Sequence, residues 1–436
     1  MENENLKNQR QAGGVTENGT AGDNNTNKLK TSSDSKECDE EKGVEVIKDK
    51  ERTRNIIIAV VASVVLAGAL GVALVLNYLH EGNTAGVGSN TGSTGEIVSN
   101  SEPGTTVSES EVKITKSGTY TLDGEYSSVT IDTSGDVKLI LNSATITSTS
   151  GPAIYVIDAG TVTVELNGEN TITAQSTTDE LEGVIHSTDD LIFSGDGSLT
   201  VNGNNDGIVS KDALTIKSGT YIVNTTDDCI KGKDSVVISG GTFNLTSTGG
   251  DGIKSTNEEG AKLGYVEING GTFNIKVADD AIHAITKVTI NDGTFVINAH
   301  EGLEGTYITV NDGEIKIVAT DDGVNAAAKS AAYTPTFEMN GGSLTINMGQ
   351  GDTDAIDSNG NIVITGGTIN ITAQFAFDFD GTVTFTGGDV TVNGEKVTTI
   401  TNSMMMGGGM MGPGGQGAQG QTPQGQQTQR GATMRR

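Results

Sequence analysis

The chain has 436 residues, 34% of them hydrophobic, with 61 glycines, no tryptophan and a formal net charge of −29. This apolar content is low for one large compact core, and the acidic balance excludes nucleic acid as a direct partner, because its phosphates would be repelled. The two cysteines, Cys38 and Cys229, are too few for a disulfide framework.

The N-terminal part predicts a membrane anchor. Residues 1–55 lack apolar periodicity and predict a disordered segment. The uncharged run Ile56–Leu76 follows, inside a predicted transmembrane helix over residues 56–79. Four basic residues between positions 48 and 54 precede it, which predicts a cytoplasmic N-terminus, a single pass through the plasma membrane and an extracellular C-terminal domain. A cleaved signal peptide is the alternative interpretation of the apolar run.

A repeating unit follows the predicted flexible linker over residues 80–111. Apolar residues recur at every second position in short pieces throughout residues 112–397, which is strand periodicity. Two uninterrupted copies begin at Asp280 and Glu301, and each contains an acidic corner, two short strands, an Asn-Asp-Gly corner and a third strand. Repeats of about 21–24 residues predict an all-β solenoid, a single-stranded parallel β-helix whose coils stack on one another.

The acidic corners recur regularly from position 182 onward. Most intervals between them are similar in length, but those that follow Asp251 and Asp322 are longer. The two long intervals predict loops near 256–263 and 326–335 that project from one corner. The corner residues are Glu182, Asp206, Asp228, Asp251, Asp280, Glu301, Asp322 and Asp354. Earlier alternating pieces, from Val112 to Val164, predict opening coils without this corner.

The third strand of each repeat predicts one internal column. Four aromatic residues occupy equivalent places and are followed coil by coil by aliphatic ones: Tyr221, Phe243, Phe273, Phe295, Ile315, Leu344, Ile369 and Val390. In a parallel stack, equivalent side chains lie above each other at ~4.8 Å. Beyond the last coil, residues 398–436 are rich in Gly, Met and Gln and predict a low-complexity tail.

Stacked acidic corners predict a calcium site. Two carboxylates ~5 Å apart repel by roughly 0.8 kcal/mol in water and about 3 kcal/mol at an effective dielectric of 20. A hard divalent ion relieves this repulsion, and Ca²⁺ accepts six to eight oxygen ligands in loose geometry. The alternative is that Asp is simply a favoured turn residue. The predicted ligands are Asp228, Asp251, Asp280, Glu301, Glu304, Asp322 and Asp354.

A second stripe of residues borders these corners and predicts a carbohydrate-binding face. Each residue after an inward aliphatic side chain should point outward, and the candidates are Lys231, Lys254, His283 and Asn325. Both lysines could equally be solvated side chains on an exposed strand, and His283 lacks a nucleophile partner. We therefore predict no catalytic residue.

Several corner and strand motifs together resemble a known family. The corners Asp-Asp-Cys-Ile-Lys231, Asp251-Gly-Ile-Lys254 and Asp-Asp-Ala-Ile-His283 alternate with Ile-Ser-Gly-Gly-Thr-Phe243 and Ile-Asn-Gly-Gly-Thr-Phe273. They resemble bacterial surface carbohydrate-binding β-helix proteins first recognised in a cellulolytic Clostridium, which are similar in fold to pectate lyases. The resemblance covers residues 112–397 and implies a right-handed parallel β-helix, bound calcium and affinity for cellulose or polygalacturonate. The predicted membrane helix departs from the ordinary export signal of many such relatives.

Three functions are consistent with the sequence. The first is a membrane-anchored extracellular protein that binds cell-wall polysaccharide with the help of Ca²⁺. The second is a passive surface adhesin or spacer, a stiff stack of coils. The third is a calcium-dependent polysaccharide lyase with a lysine base, which the absence of arginine from residues 56–429 disfavours.

Overall fold

The computed structural model describes residues 95–97, 105–106, 110–175, 178–349 and 353–403, which lie in one compact unit. The predicted segment 1–55, the predicted membrane helix over 56–79, most of the linker and the tail beyond residue 403 lie outside these residues. Across the described part of the chain, no helix combines the length and the apolar composition that a bilayer crossing requires.

A single coil shows why these residues form strands. The strand Ile282–Ile290 buries every second side chain, and all of the inward ones are apolar except Thr286. The chain then turns at Gly293, whose φ of +132° favours glycine. A Cβ atom there would lie 2.9 Å from the Phe295 ring and 3.1 Å from the carbonyl oxygen of Gly271. The glycine corner therefore allows the next strand to begin in register.

Successive coils pair strand on strand and form three parallel ladders, one for each strand of the coil. Two long strands, Ile282–Ile290 and Leu303–Val310, belong to the first ladder at their start and to the second at their end. The other strands of the first ladder are Gly95–Ile97, Glu111–Ile114, Ser128–Asp132, Ile154–Asp158, Gly183–Ser187, Asp206–Ser210, Ile230–Gly232, Ile253–Ser255, Val324–Ala326, Asp354–Ser358 and Phe375–Phe379.

The remaining ladders follow in chain order around each coil. The second ladder also contains Thr105–Thr106, Gly118–Leu122, Val137–Asn142, Thr161–Asn167, Asp190–Gly195, Ala213–Ile216, Ser235–Ile238, Tyr265–Ile268, Thr336–Met339, Asn361–Ile364 and Val383–Phe385. The third contains Glu125–Tyr126, Thr145–Ser148, Glu169–Ala174, Ser198–Gly203, Thr220–Thr225, Thr242–Ser247, Thr272–Lys276, Thr294–Ala299, Glu314–Ala319, Ser343–Met348, Thr368–Thr372, Asp389–Val392 and Glu395–Val397. This arrangement confirms the predicted all-β solenoid of parallel coils, and its right-handed sense stays a prediction.

The core lies between the three ladders and contains the predicted aromatic column. The rings of Tyr221, Phe243, Phe273 and Phe295 stack nearly parallel, with centroid separations of 5.0, 4.7 and 4.5 Å. Burial of each ring contributes about 1.5–3 kcal/mol, and each stacked pair adds about 0.5–1.5 kcal/mol. The aliphatic residues predicted to follow pair in the same register. The column is therefore confirmed.

Two loops leave the stack at the corner between the first and second ladders. They occupy residues 256–264 and 327–335, as the long repeats predicted. The Tyr333 hydroxyl donates to the carbonyl oxygen of Ala261 at 3.1 Å, so the loops meet over the two coils that separate them. Ser330 also donates its backbone N–H to the Thr306 hydroxyl at 2.9 Å. The two loops therefore cover this corner of the stack.

The last coil ends in a hairpin that the repeat pattern does not show. Glu395–Val397 pairs antiparallel with Asp389–Val392, whereas every other strand pair of the described residues is parallel. The connecting Asn393 and Gly394 both have positive φ, 53° and 84°, as in a two-residue hairpin turn. The hairpin covers the edge of the third ladder, which would otherwise expose unpaired backbone groups.

Candidate functional site

The acidic corners line up between the third and the first ladder, two residues ahead of a buried aliphatic position. That position pairs from coil to coil and is held by Ile208, Ile230, Ile253, Ile282, Leu303, Val324 and Ile356. We call the carboxylates ahead of it the acidic file: Asp206, Asp228, Asp251, Asp280, Glu301, Asp322 and Asp354. The prediction that in-phase coils bring these residues into one row is confirmed.

Aspartate has a structural role in this row. Asp228 donates its backbone N–H to Oδ1 of Asp206 at 3.0 Å, and Asp251 donates to Oδ1 of Asp228 at 2.9 Å. Asp280 repeats the contact with Oδ1 of Asp251 at 2.8 Å. Each carboxylate therefore receives one hydrogen bond from the next coil, which partly offsets the cost of its burial. The short aspartate side chain suits this reach.

Glu182 does not occupy the place in the row that its spacing predicts. Gly183, and not Glu182, pairs with Asp206. The longer Glu182 side chain nevertheless contacts Lys211 at 2.5 Å and Lys231 at 3.6 Å. Although burial alone would raise the pKa of Glu182, these lysines hold it below its ordinary value. Glu182 therefore lies one residue out of register with the row but still forms ion pairs with its lysines.

Two lysines neutralise the first part of the acidic file. Lys231 Nζ lies 3.1 Å from Asp206 and 3.2 Å from Asp228. Lys254 Nζ lies 2.8 Å from Asp251 and 3.3 Å from Asp228. Burial alone would lower the pKa of both lysines, but the surrounding carboxylates raise it, so both stay charged. Asp206 is only 1% exposed and loses more solvation than one shared lysine returns, which raises its pKa to about 7.

His283 continues the series of basic groups by one coil. Its Nδ1 lies 3.3 Å from Asp251 and 3.4 Å from Asp280, and its Nε2 lies 3.4 Å from Glu304. Lys254, His283 and Glu304 occupy paired positions on the outward side of the first ladder, and Asn325 follows them. These pairings confirm that the predicted outward stripe is one row of stacked positions. The basic groups on it face carboxylates, and their contact with sugar stays a prediction.

Beyond His283 the carboxylates outnumber the basic groups that face them. Ligand oxygens of Asp280, Glu301 and Glu304 lie within 4.8 Å of one another, and we call these three residues the carboxylate cluster. Lys329, on the second loop, pairs with Glu304 at 2.5 Å. Asn325 donates to Glu301 at 3.1 Å, while its own Oδ1 is buried without a hydrogen-bond partner among the described residues.

The pKa values of the carboxylates beyond His283 reflect their burial and the shortage of basic groups near them. Burial, followed by the charge of Glu304, raises the pKa of Glu301 to about 8. Burial and the neighbouring carboxylates also raise the pKa of Asp280. Burial raises the pKa of Asp322 to about 7 and that of Asp357 to about 6, in each case assisted by the next carboxylate. A positive charge beside Glu301 would favour its ionised form and so lower its pKa.

The carboxylate cluster fits an oxygen-liganded divalent ion. It offers three carboxylates, and the partnerless Oδ1 of Asn325 is a neutral oxygen of the kind that Ca²⁺ accepts. A divalent charge would replace the mutual repulsion, about 3 kcal/mol per pair at ~5 Å and an effective dielectric of 20, by attraction. Near Asp228 and Asp251, by contrast, lysine ammonium groups already occupy the space between the carboxylates.

The other predicted ligands divide by position. Asp228 groups with Asp206 and Asp227, and Asp251 with Asp280 and His283. Asp322 and Asp354 belong to no group of three such ligand atoms in the described parts of the chain. Asp322 instead accepts the backbone N–H of Asp354 at 3.3 Å.

His300 lies in an outer row that the ligand prediction omitted. It groups with Asp279 and Asp280 on one side and with Glu301 and Asp321 on the other. Its backbone N–H donates to the Asp279 carbonyl oxygen at 3.0 Å, and its own carbonyl oxygen accepts from Asp321 at 3.0 Å. The equal intervals between positions 279, 300 and 321 were the available signal.

Comparison with known proteins places the chain in a family. A family model described as carbohydrate-binding domain-containing protein matches residues 108–355. A carbohydrate-binding domain-containing protein from Acetivibrio thermocellus is 40% identical over 203 residues, which cover 43% of this chain and 71% of the relative. A solved structure of the polysaccharide lyase-like protein from C. thermocellum is 33% identical, covers 48% of this chain and 85% of that one, and has a TM-score of 0.39. The chain belongs to the family of carbohydrate-binding domain-containing proteins, as its sequence motifs predicted.

Proposed function

We propose that this protein binds cell-wall polysaccharide of the cellulose or polygalacturonate type at the cell surface, assisted by Ca²⁺ and without catalysing a reaction. Membership of the carbohydrate-binding family supports the ligand class. The apolar run Ile56–Leu76 supports a plasma-membrane anchor with the β-helix outside the cell. The passive spacer is the alternative that an absence of glycan binding would favour.

The observation that carries the calcium proposal is the carboxylate cluster. Asp280, Glu301 and Glu304 are 5%, 9% and 6% exposed, and burial raises the pKa of the first two. Asp280 and Glu304 face His283 and Lys329, whereas Glu301 forms no ion pair within the described parts of the chain, so these three carboxylates outnumber their basic neighbours. A buried acid without a basic partner is unusual unless it holds a proton or a metal ion. We assign these three residues, with Asn325, as ligands, and Asp322 and Asp354 as flanking negative charge. Asp228 and Asp251, which the sequence also predicted as ligands, are paired with Lys231 and Lys254 instead.

When bound, calcium would supply a positive charge that attracts sugar hydroxyl and carboxylate oxygens. The protein's own residues determine where that charge lies. His283 and Lys329 confine the carboxylate cluster on two sides, and Asn325 orients Glu301 by its hydrogen bond. Lys231 and Lys254 hold the first part of the acidic file neutral, which leaves the surplus negative charge beyond His283.

Retention of the full-length protein on polysaccharide tests the proposal. We expect gels that contain polygalacturonate or cellulose derivatives to retard the detergent-solubilised protein more strongly when calcium is present than when a chelator is present. Glu301→Gln should lose most of the calcium-dependent retardation. Glu314→Gln is the matched control, because this substitution removes the same charge at a site on the third ladder where the Glu314 side chain is 52% exposed.

Equal retardation with calcium and with chelator, for both the unmodified protein and Glu301→Gln, would remove calcium from the proposal. No retardation by any glycan, with an intact β-sheet circular dichroism spectrum, would favour the passive spacer.

A further inference from the structure

The outer face of the second ladder carries a row of two tyrosines and a lysine away from the acidic file. Tyr265 pairs with Lys287, and Lys287 pairs with Tyr307, so the three side chains follow one another on consecutive coils. All three are half-buried and point outward, because the residues that follow them face the core. Strand spacing places the two tyrosines ~9.6 Å apart, two coils along the stack.

The second loop adds a further ring. Tyr333 packs edge to face against Tyr307, with centroids 5.9 Å apart and an interplanar angle of 62°. Its hydroxyl is bonded to the carbonyl oxygen of Ala261 on the first loop, which fixes the ring's position. Aromatic rings that are held in place lose little conformational entropy when a ligand packs on them.

Lys287 is the charged member of this row. Its Nζ lies 5.5 Å from the centroid of the Tyr307 ring, and none of the described carboxylates is within ion-pair distance of it. Lys231, Lys254 and Lys329 are, in contrast, all paired with carboxylates. A half-buried lysine whose ammonium group has no carboxylate partner among the described residues favours an anionic ligand.

Polar groups for sugar hydroxyls adjoin the rings. Thr309 lies two residues after Tyr307 on the same outward side, is 6% exposed, and its Oγ1 has no hydrogen-bond partner among the described residues. Glu338 pairs with Thr309 in the ladder and accepts a hydrogen bond from the Tyr307 hydroxyl at 2.5 Å. Thr309 Oγ1 lies below the accessible surface, so the half-buried Glu338 carboxylate is the group beside the rings that can accept a hydrogen bond from a sugar hydroxyl.

We propose that Tyr265, Lys287, Tyr307 and Tyr333 form a binding surface for an acidic polysaccharide, which we call the tyrosine–lysine surface. The apolar face of a uronic acid ring packs on the tyrosines, and its carboxylate pairs with Lys287. The polysaccharide lies along the stack and meets more than one coil. This inference rests on the proposed function and adds a contact that needs no metal ion.

Binding of polygalacturonate by the full-length protein in the presence of a chelator tests this surface. We expect Lys287→Gln to weaken binding by about tenfold, as the loss of one partly desolvated charge contact should. Lys287→Arg should retain most of the affinity. Fully methyl-esterified polygalacturonate carries no carboxylate, so Lys287→Gln should leave its binding unchanged. Lys276→Gln, an exposed lysine of the third ladder, is the matched control.

Tyr333→Ala provides a second variant that leaves the strands unaltered, because Tyr333 lies in a loop. We expect it to weaken binding of both the acid and the ester by several-fold, since it removes ring contact. Unchanged binding in both Lys287→Gln and Tyr333→Ala, with the unmodified protein still binding polygalacturonate, would overturn this inference alone. Binding of the unmodified protein only in the presence of calcium would likewise overturn this inference alone. Failure to bind any polysaccharide, with calcium as well as with a chelator, would overturn the proposed function together with it.

Discussion

The acidic file has two parts, before and after His283, and they differ in whether basic side chains neutralise the carboxylates. From Asp206 to Asp251, lysines from the outward stripe enter the row and pair with the carboxylates. From Glu301 onward the equivalent stripe positions hold Glu304, Asn325 and an aspartate, which bring no positive charge. One backbone geometry therefore supports an internal ion-pair network at one end and the proposed calcium site at the other.

The comparison shows that the acidic corner alone does not determine function. The residue three positions later decides whether a corner is neutralised within the protein, as with Asp228 and Lys231, or remains available to a ligand, as with Glu301 and Glu304. His283 marks the boundary, because it contacts Asp251 on one side and Glu304 on the other. Variants that move a charge across this boundary test the distinction.

The largest expected effect is the loss of a lysine from the neutralised part. Lys254→Met would leave Asp228 and Asp251, both nearly inaccessible to water, without their shared cation. Removal of one partner from a buried ion pair costs about 3 kcal/mol. We expect urea denaturation at neutral pH, followed by circular dichroism, to show a loss of that size.

The matched control for this change is Lys276→Met, at an exposed site of the third ladder. Its effect should stay within about 0.5 kcal/mol. Equal stability of the two variants would show that the ion pairs of the first part contribute nothing, and the distinction between the two parts would then fail.

The second expected effect is a dependence of stability on pH and calcium that arises beyond His283. The raised pKa values of Glu301, about 8, and Asp322, about 7, mean that the folded protein binds more protons than the unfolded chain, whose carboxyl pKa values are near 4. Without calcium, the contribution of these groups to stability is therefore complete at about pH 4 and is lost as the pH rises to about 8. Asp206, which lies before His283 and has a pKa of about 7, adds a smaller contribution to the same pH dependence of stability.

Calcium should reverse this trend because it binds the ionised carboxylates. When the calcium concentration is a hundredfold above the dissociation constant, an ion that binds only the folded state adds about 2.7 kcal/mol to the free energy of unfolding. We expect thermal melting to show a larger gain at about pH 8 than at about pH 5, since protons compete with the metal. Glu301→Gln should flatten both dependences, whereas Glu314→Gln should retain them. A calcium gain that is the same at both pH values would contradict the assignment.

The periodicity of the sequence was sufficient to predict the rows but not their charge balance. The regular spacing of the corners predicted that Asp280 and Glu301 stack, because parallel coils in phase can place them only in one row. Periodicity also placed Lys254 on an outward stripe, where it was interpreted as a sugar contact. The actual direction of its flexible side chain depends on two carboxylates, one on its own coil and one on the preceding coil, and strand periodicity carries no such information.

Two further features lay beyond the repeat because they break it. Glu182 was aligned with Asp206 by its motif, yet the ladder pairs Gly183 there, since the motif shifts by one residue at the first acidic corner. The tyrosine–lysine surface combines a ladder position with Tyr333 from an inserted loop, and an insertion has no counterpart in neighbouring coils from which its position could be inferred.

The smallest expected effect concerns Lys329, the one cation that reaches the carboxylate cluster from an inserted loop among the described residues. The Lys329 side chain is 28% exposed, and without it Glu304 still has His283 at 3.4 Å, so the loss of Lys329 should cost about 1 kcal/mol, less than the loss of Lys254. Its charge lies beside the proposed ion, and at ~5 Å in a water-like medium such a charge repels a divalent ion by about 1.7 kcal/mol.

Lys329→Ala should therefore bind calcium more tightly, by up to about tenfold, although it is slightly less stable without the ion. Isothermal titration calorimetry of the full-length protein measures the affinity, and Lys262→Ala, an exposed lysine of the other loop, is the control. Opposite signs for stability and affinity distinguish a charge that tunes a metal site from one that only secures a loop. A variant that loses both would place Lys329 among the structural lysines, with Lys231 and Lys254, and would move the boundary of the neutralised part beyond Glu304.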